Sequence, residues 1–295
     1  METVSAIAET RIDFMPKLLC GKFSLSLGRP LVMGIVNVTP DSFSDGGKFL
    51  ASDMAIAHAR KLIADGADIL DIGGESTRPG AKPAGLQEEL DRVMPVLEAM
   101  LDSGVPLSID TQKPGVMKSA IAAGASMIND VNALQAEGAI EACRYSSVAV
   151  CLMHKQGTPE NMQQQPAYGD VVREVSAFLT ARADACEQAG IARARIVIDP
   201  GFGFGKTVSH NFTLLRELRS MTYLGYPVLA GYSRKSSLGS LTGRSVEQRL
   251  AASLAAAMIA AQNGAAILRV HDVAETVDML KVLDATRVGG AMAGP

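Results

Sequence analysis

Polar and ionisable side chains stand directly after most of the short apolar runs of this 295-residue sequence. In chain order they are Asn37, Asp71, Asp110, Asn129, His154, Asp199, Lys235, Arg269 and His271. Three of them, Asp110, Asn129 and Asp199, carry oxygens that accept hydrogen bonds, which suits a flat heterocycle with adjacent N–H donors. Lys235, Arg269 and His271 are donors that suit an anion. The residue types therefore predict a cleft that binds a ring on one side and an anion on the other.

Several other chemistries are not indicated, because their motifs are missing. The sequence has no Gly-x-Ser-x-Gly or His-Glu-x-x-His motif and no Cys-x-x-Cys spacing, which argues against covalent acyl transfer and zinc catalysis. The glycine-rich residues 201–207 lack the spacing of a phosphate-binding loop, and they predict a backbone that passes close to a ring beside Asp199. What remains is stabilisation of a departing anion, aided by Mg²⁺ on Asn37 and substrate phosphates.

An alternation of short apolar runs with longer helical patterns predicts the elements that would position these side chains. The predicted strands are residues 31–36, 68–72, 105–109, 126–129, 148–153, 195–198, 227–230 and 266–270, and the predicted helices are residues 54–65, 87–103, 114–123, 134–145, 171–189, 211–218, 246–262 and 273–283. Apolar strands that alternate with helices are typical of an all-parallel sheet covered by helices. This number of units favours an α/β fold closed into a (β/α)8 TIM barrel, in which the carboxyl ends of the strands share one cleft.

The chain is predicted to form one domain. Residues 21–288 are assigned to the barrel, with a short N-terminal β-hairpin formed by residues 23–27 and the first buried strand. Residues 1–20 are predicted to be flexible and residues 289–295 to be disordered. The connection after the first strand is long and polar and carries Phe43, which favours a functional flap over a plain turn.

Composition and charge restrict the partners and the compartment. A net charge of −3 and a pI near 5.9 argue against nucleic acid or an anionic membrane as a partner. The longest apolar stretch, residues 250–261, is too short to span a bilayer, and residues 1–10 do not resemble a secretory signal. Together with cysteines that show no pairing pattern, this predicts a cytoplasmic protein. The alanine-rich helix at residues 246–262 predicts a homodimer.

A series of ordered motifs resembles those of dihydropteroate synthases, the folate-pathway enzymes that join a pterin to p-aminobenzoate. The first is Met-Gly-Ile-Val-Asn-Val-Thr-Pro-Asp-Ser-Phe-Ser-Asp-Gly-Gly at residues 33–47. The others are Asp-Ile-Gly-Gly-Glu-Ser-Thr-Arg-Pro-Gly at 71–80, Ser-Ile-Asp-Thr at 108–111, Ile-Asn-Asp at 128–130, Leu-Met-His at 152–154, Asp-Pro-Gly-Phe-Gly-Phe-Gly-Lys at 199–206, Ser-Arg-Lys at 233–235 and Arg-Val-His at 269–271. Together the motifs extend over nearly the whole chain. The ordered set is far more specific than any single motif in it.

The resemblance implies an activity and a role for each matching residue. Enzymes of this family condense 6-hydroxymethyl-7,8-dihydropterin pyrophosphate with p-aminobenzoate to give 7,8-dihydropteroate and pyrophosphate. The implied pterin-binding residues are Asp110, Asn129, Met153, Asp199, Phe204 and Lys235, among which Lys235, Asp110 and Asp199 are the implied catalytic residues. The implied pyrophosphate-binding residues are Asn37, Thr77, Arg269 and His271, with Mg²⁺ on Asn37. The implied pocket for p-aminobenzoate or a sulfonamide inhibitor is formed by Phe43, Thr77, Arg78, Pro79, Phe204 and Ser233.

Two alternative functions share part of this pattern. A methyltetrahydrofolate methyltransferase would need the ring-binding acceptors but neither a pyrophosphate site nor an aryl-amine pocket. The residues that count against it are Asn37, Arg269, His271, Thr77, Arg78 and Pro79. A non-catalytic paralogue that only binds a pterin would be expected to have lost loop residues such as Phe43 or Arg78, and both are present.

Overall fold

Eight parallel strands form a nearly closed barrel, as the alternating sequence pattern predicts. The structure is a computed structural model that describes residues 16–39, 48–76, 83–157, 162 and 166–287. Its strands are β1 (Lys17–Cys20), β2 (Phe23–Ser26), β3 (Leu31–Asn37), β4 (Ile69–Gly73), β5 (Leu107–Asp110), β6 (Met127–Asp130), β7 (Ala149–Met153), β8 (Ile196–Asp199), β9 (Leu229–Ala230) and β10 (Ile267–Val270). The barrel sheet has the order β8-β7-β6-β5-β4-β3-β10-β9. A parallel bridge between Ile198 and Val228 brings its two ends together.

Alternation of side chains along each strand divides the apolar residues into two cores. One face of the strands, which includes Val32 and Ile72, packs against the surrounding helices. The opposite face points into the barrel, where Met33 and Ile69 belong to the inner core. Asp71 follows Ile69 on this inner face and is fully buried. Polar side chains therefore replace apolar ones toward the carboxyl ends of the strands, where the cleft was expected.

The helices follow the strands in the predicted alternation. They are α1 (Lys48–Ala64), α2 (Leu86–Met100), α3 (Pro114–Ala123), α4 (Ala139–Arg144), α5 (Val171–Gln188), α6 (Val208–Arg216), α7 (Leu218–Thr222), α8 (Ser236–Thr242), α9 (Leu250–Gln262) and α10 (Val273–Arg287). The bounds of α3 are as predicted, since the helix ends at Gly124, whose φ of 111° only glycine adopts readily. The short helices α7 and α8 were not expected, and the predicted helix at 246–262 divides into a short 3-10 helix, Val246–Gln248, and α9.

Helix α4 begins five residues later than the predicted start at residue 134, because a turn precedes it. Ala133 and Leu134 have φ angles of 52° and 53°, which a helix does not allow. The carboxylate of Asp130 stabilises this turn by accepting the backbone N–H of Asn132 at 2.7 Å and that of Leu134 at 2.8 Å. The sequence pattern of Asp and Asn before an apolar run was compatible with either a turn or a helix start.

The N-terminal hairpin is present, but its pairing differs from the prediction. Strand β2 pairs antiparallel with β1, with Leu18 opposite Leu25, and not with the first barrel strand. Leu18 and Cys20 are fully buried against the inner core. This burial explains why residues 17–20, which were assigned to a flexible segment, form a strand that covers the amino-terminal end of the barrel. The remaining parts of both terminal segments, residues 1–15 and 288–295, lie outside the described residues.

The remaining predictions concern the membrane, the cysteines and the oligomeric state. In the described part of the chain, no helix is long and apolar enough to cross a membrane. All four cysteines are buried and free of disulfides. Helix α9 exposes Leu250 and Ile259, but the homodimer stays a prediction, as does the cytoplasmic location.

Candidate active site

A layer of polar side chains covers the inner core at the carboxyl ends of the barrel strands. The register places Asp110 beside Asn129 on neighbouring strands, and Met153 beside Asp199. Asn129 and Asp199 are each 5% exposed. The charge of Arg269 acts to lower the pKa of both Asp110 and Asp199. The charge of Lys235 also acts to lower the pKa of Asp199. The structure thus brings together the acceptors and two of the cations that the sequence assigned to one cleft.

Arg269 is bound on the ring side of this layer by two carboxylates. Its Nε donates to Oδ2 of Asp71 at 2.6 Å, and its Nη2 donates to Oδ2 of Asp110 at 2.8 Å. Asn129 Nδ2 donates to the same Asp71 oxygen at 3.0 Å. The sequence assigned Arg269 to the anion alone and did not assign Asp71 to a substrate. A guanidinium has five N–H groups, so these two bonds leave others for an anion.

Burial and neighbouring charges shift the pKa values of these buried groups in opposite directions. Burial raises the pKa of Asp110 to about 7, although Arg269 opposes the shift. For Arg269, burial works against the charged form, but Asp71 and Asp110 outweigh it and the pKa is raised. The guanidinium therefore stays charged at every accessible pH, and it is the group that allows two carboxylates to be buried side by side.

Lys235 lies between the ring side and the anion side. It stands at the start of α8, and its Nζ is 4.2 Å from the centroid of the Phe204 ring, a cation–π distance. Burial, together with the charge of Arg269, lowers the pKa of Lys235 to about 8. Burial raises the pKa of Asp199, although the N–H of Gly201 donates to its Oδ1 at 2.7 Å. Lys235 is thus positively charged at neutral pH beside an aromatic face.

The glycine-rich loop after β8 is organised by a buried lysine that sequence reasoning missed. Lys206 is 2% exposed, and its Nζ donates to the carbonyl oxygens of Gly201 at 2.9 Å and Phe204 at 3.0 Å. Nδ1 of His154 lies 3.0 Å from the same Nζ, within hydrogen-bond distance. The Lys206 side chain therefore holds the loop that carries Phe204, which is further reason to exclude a phosphate-binding role for this lysine.

One glycine of this loop is required by a close approach to the protein backbone, while the approach of the loop to a bound ring stays a prediction. Gly201 has a φ of 68°, and a Cβ there would lie 1.9 Å from the carbonyl oxygen of His154. Burial and the charge of Lys206 lower the pKa of His154 to about 3, so its ring is neutral. His154 is thus a packing partner of the loop and received no functional assignment from the sequence.

His271 and Ser233 form a pair on the anion side. Their Nδ1 and Oγ atoms are 3.0 Å apart, and the backbone N–H of His271 donates to the same Oγ at 3.3 Å. Burial, with the charges of Arg269 and Arg234, lowers the pKa of His271 to about 3. A neutral imidazole can offer an anion one N–H, but no charge. The structure therefore places Ser233, assigned to the aryl-amine pocket, against a residue of the predicted anion site.

Asn37 ends β3 and is half-buried. Within the described ranges no group of three or more His, Cys, Asp or Glu side chains could hold a metal. Mg²⁺ commonly takes one or two protein oxygens and completes its shell with phosphate oxygens and water. The amide oxygen of Asn37 fits that requirement.

The remaining predicted residues, Phe43, Thr77, Arg78 and Pro79, lie outside the described residues. The structure does describe the base of the segment that contains the last three. Oε1 of Glu75 accepts the backbone N–H of Ala84 at 3.1 Å, while Lys113 Nζ donates to both Glu75 and Glu89 at 2.6 Å. This buried ion group joins the two ends of the segment to α2.

A nearly closed (β/α)8 barrel with a polar layer at the carboxyl ends of its strands defines the class of TIM-barrel enzymes. Residues 33–271 match the family model described as pterin binding enzyme. A dihydropteroate synthase of Escherichia coli (strain K12) is 49% identical over 92% of this chain and 96% of its own length.

Two solved structures agree with this match. Dihydropteroate synthase of Xanthomonas albilineans with 4-aminobenzoic acid is 54% identical, with a TM-score of 0.88 over 93% of this chain and 99% of that one. The Burkholderia cenocepacia enzyme complexed with 7,8-dihydropteroate is 51% identical, with a TM-score of 0.85 over 93% of this chain and 98% of that one. The chain belongs to the pterin-binding family and, within it, to the dihydropteroate synthases.

Proposed function

We infer that the protein is a transferase that condenses 6-hydroxymethyl-7,8-dihydropterin pyrophosphate with p-aminobenzoate. In this reaction the bond between the pterin methylene carbon and the pyrophosphate oxygen breaks. The amine nitrogen forms a new bond to that carbon and loses a proton, which yields 7,8-dihydropteroate. The observation that carries the proposal is the meeting of acceptors and cations in one polar layer, where Arg269 lies 2.8 Å from Asp110.

On the ring side, the acceptors would bind the N–H donors of the pterin. Asp199 and Asn129 are buried next to the cleft, so each bond made there is shielded from water. Met153 and Phe204 would contact the faces of the ring. Positive charge that develops on the pterin as pyrophosphate departs would be stabilised by Asp110 and Asp199.

On the anion side, the donors would bind pyrophosphate. Lys235 carries a charge at neutral pH, Arg269 has N–H groups left after binding its carboxylates, and His271 offers one neutral donor. When bound, Mg²⁺ would supply charge neutralisation for the departing pyrophosphate, with Asn37 as its protein ligand. Lys235 is the residue that would contact both substrate parts, because its Nζ lies 4.2 Å from the centroid of the Phe204 ring and the charge of Arg269 acts on its pKa.

The aryl-amine pocket and the anion site are expected to be coupled. Asn37 directly precedes the segment that carries Phe43, and Ser233 touches His271 at 3.0 Å. Residues of the two proposed sites are thus neighbours in the chain or in contact. A methyltetrahydrofolate methyltransferase needs neither site, so this coupling separates the two functions. For sulfonamides, as analogues of p-aminobenzoate, we expect the same coupling between the aryl-amine pocket and the anion site.

Titration of p-aminobenzoate by calorimetry is expected to show about 5- to 150-fold tighter binding in the presence of Mg²⁺ and pyrophosphate, the usual range for coupled sites. Mg²⁺ alone and pyrophosphate alone serve as controls. In the variant Asn37→Ala the gain is expected to fall, because the protein ligand of Mg²⁺ is lost, while the affinity in buffer alone stays the same. Equal affinity of the wild type in all conditions would contradict the proposed pair of sites.

A further inference from the structure

We propose that Asp71 is a positioning residue that fixes the orientation of the Asn129 amide and thereby presents an acceptor to the pterin. The inference deepens the proposed function and rests on it. Asp71 does not line the cleft, since it is 0% exposed and its Oδ2 is already engaged by Asn129 and Arg269. Its effect on a ligand must therefore act through another residue.

The orientation of Asn129 follows from the chemistry of a carboxylate. An ionised carboxylate accepts hydrogen bonds and cannot donate them, whereas an amide has one donating and one accepting end. Asn129 Nδ2 lies 3.0 Å from Oδ2 of Asp71. A reversed amide would place its oxygen against that carboxylate, which is repulsive. Asp71 thus permits one of the two amide orientations and excludes the other.

The fixed orientation determines what the cleft offers to a ring. The Nδ2 end of Asn129 faces Asp71, so the accepting end of the amide, Oδ1, is directed away from that carboxylate. In the register, Asn129 stands beside Asp110, which also carries acceptors. The ring side therefore presents acceptors from neighbouring strands to the donor edge of a ligand. With the amide reversed, one of them would be replaced by a donor.

Arg269 keeps Asp71 itself in place. Its Nε donates to the same oxygen at 2.6 Å, and its Nη2 reaches Asp110 at 2.8 Å. The second oxygen of Asp71, Oδ1, is buried and has no hydrogen-bond partner among the described residues. A buried acceptor without a partner lowers the free energy of unfolding, so this carboxylate is not kept for stability alone. The carboxylate of Asp71 pairs with the charge of Arg269 and orients Asn129.

The test compares ligands that differ in one donor, so that positioning can be told from mere structural support. Calorimetry would measure the affinity of pterin and of two analogues, one without the 2-amino group and one methylated on the ring N–H. The discrimination ratio is the affinity for pterin divided by that for the more weakly bound analogue. A structural defect lowers all affinities by the same factor and leaves this ratio unchanged.

Three kinds of variant are needed. Asp71→Leu and Asp71→Ala remove the acceptor, and using both keeps the test intact when one of them folds poorly. Asp71→Asn is the conservative control, because Arg269 would hold the amide oxygen of that variant where Oδ2 now lies. Asn129→Ala, alone and combined with Asp71→Leu, shows whether Asp71 acts through Asn129.

For the wild type we expect a discrimination ratio of about 10 or more, the usual effect of one mismatched buried hydrogen bond. The ratio is expected to fall severalfold in Asp71→Leu and Asp71→Ala and to be retained in Asp71→Asn. In the Asn129→Ala background, Asp71→Leu should change it no further. An unchanged ratio in the acceptor-free variants would overturn this inference alone. Absence of pterin binding by the wild type would overturn the proposed function as well.

Discussion

Replacement of Lys235 by alanine is expected to lower kcat/KM by about 10²- to 10³-fold, the usual effect of removing one donor that stabilises a developing anion. Lys235 is held over the Phe204 ring at 4.2 Å, and its charge acts on both Asp199 and Asp110. Loss of the ammonium would remove a contact to the departing pyrophosphate while leaving the strands unchanged. Steady-state kinetics, with circular dichroism to confirm the fold, is the measurement.

The pH profile of the same enzyme gives an independent test. The pKa of Lys235 is lowered to about 8 by burial and by Arg269, so the side chain is charged below that pH and neutral above it. The profile of kcat/KM reports the free enzyme, and it is expected to decline as the pH rises through about 8. In Lys235→Arg this decline should be absent, because a guanidinium stays charged. A kcat/KM of Lys235→Ala equal to that of the wild type would show that Lys235 does not contribute to the reaction.

Replacement of Arg269 by methionine is expected to lower the free energy of unfolding by about 3–5 kcal/mol, since it leaves buried carboxylates without their partner. Asp71 is 0% exposed and the Asp110 side chain is 12% exposed. The matched control is Arg29→Met, which removes a similar two-bond pair with Asp68 at a surface where Arg29 is 50% exposed. That change should cost about 1 kcal/mol or less. Urea denaturation measures the free energy of unfolding of both variants and of the wild type.

The loss of stability in Arg269→Met should depend on pH in a definite direction. Burial already raises the pKa of Asp110 to about 7 with Arg269 present, and removal of that charge raises it further. A carboxyl group whose pKa is higher in the folded state takes up a proton on folding, so it favours the folded state more as the pH falls. The loss is therefore expected to be greater near pH 8 than near pH 5. Equal losses for Arg269→Met and Arg29→Met would contradict the account of the buried ion pairs.

The strand positions of the site residues could be predicted because they follow from a local pattern. Asp110, Asn129 and Asp199 each lie within a residue of the end of an apolar run, and barrel geometry alone then places them in one layer. The predicted strands agree with the observed ones to within one or two residues for the same reason.

The partners of these residues could not be predicted in the same way. Arg269 meets Asp71 across 198 positions of sequence, because β10 pairs with β3 and β3 with β4. Lys206 carries no sequence signal that it turns inward, since its burial depends on the conformation of the loop after β8. The first hairpin strand, Lys17–Cys20, was missed because its apolar residues do not alternate cleanly with polar ones.

The central claim is that one cleft holds a pterin pyrophosphate and an aryl amine and joins them. Its most direct test is a coupled assay of pyrophosphate release in the presence of Mg²⁺, with and without p-aminobenzoate, combined with mass spectrometry of the product. We expect release that depends on p-aminobenzoate and yields one 7,8-dihydropteroate for each pyrophosphate. Absence of release with both substrates present, or release at the same rate without the amine, would contradict the account.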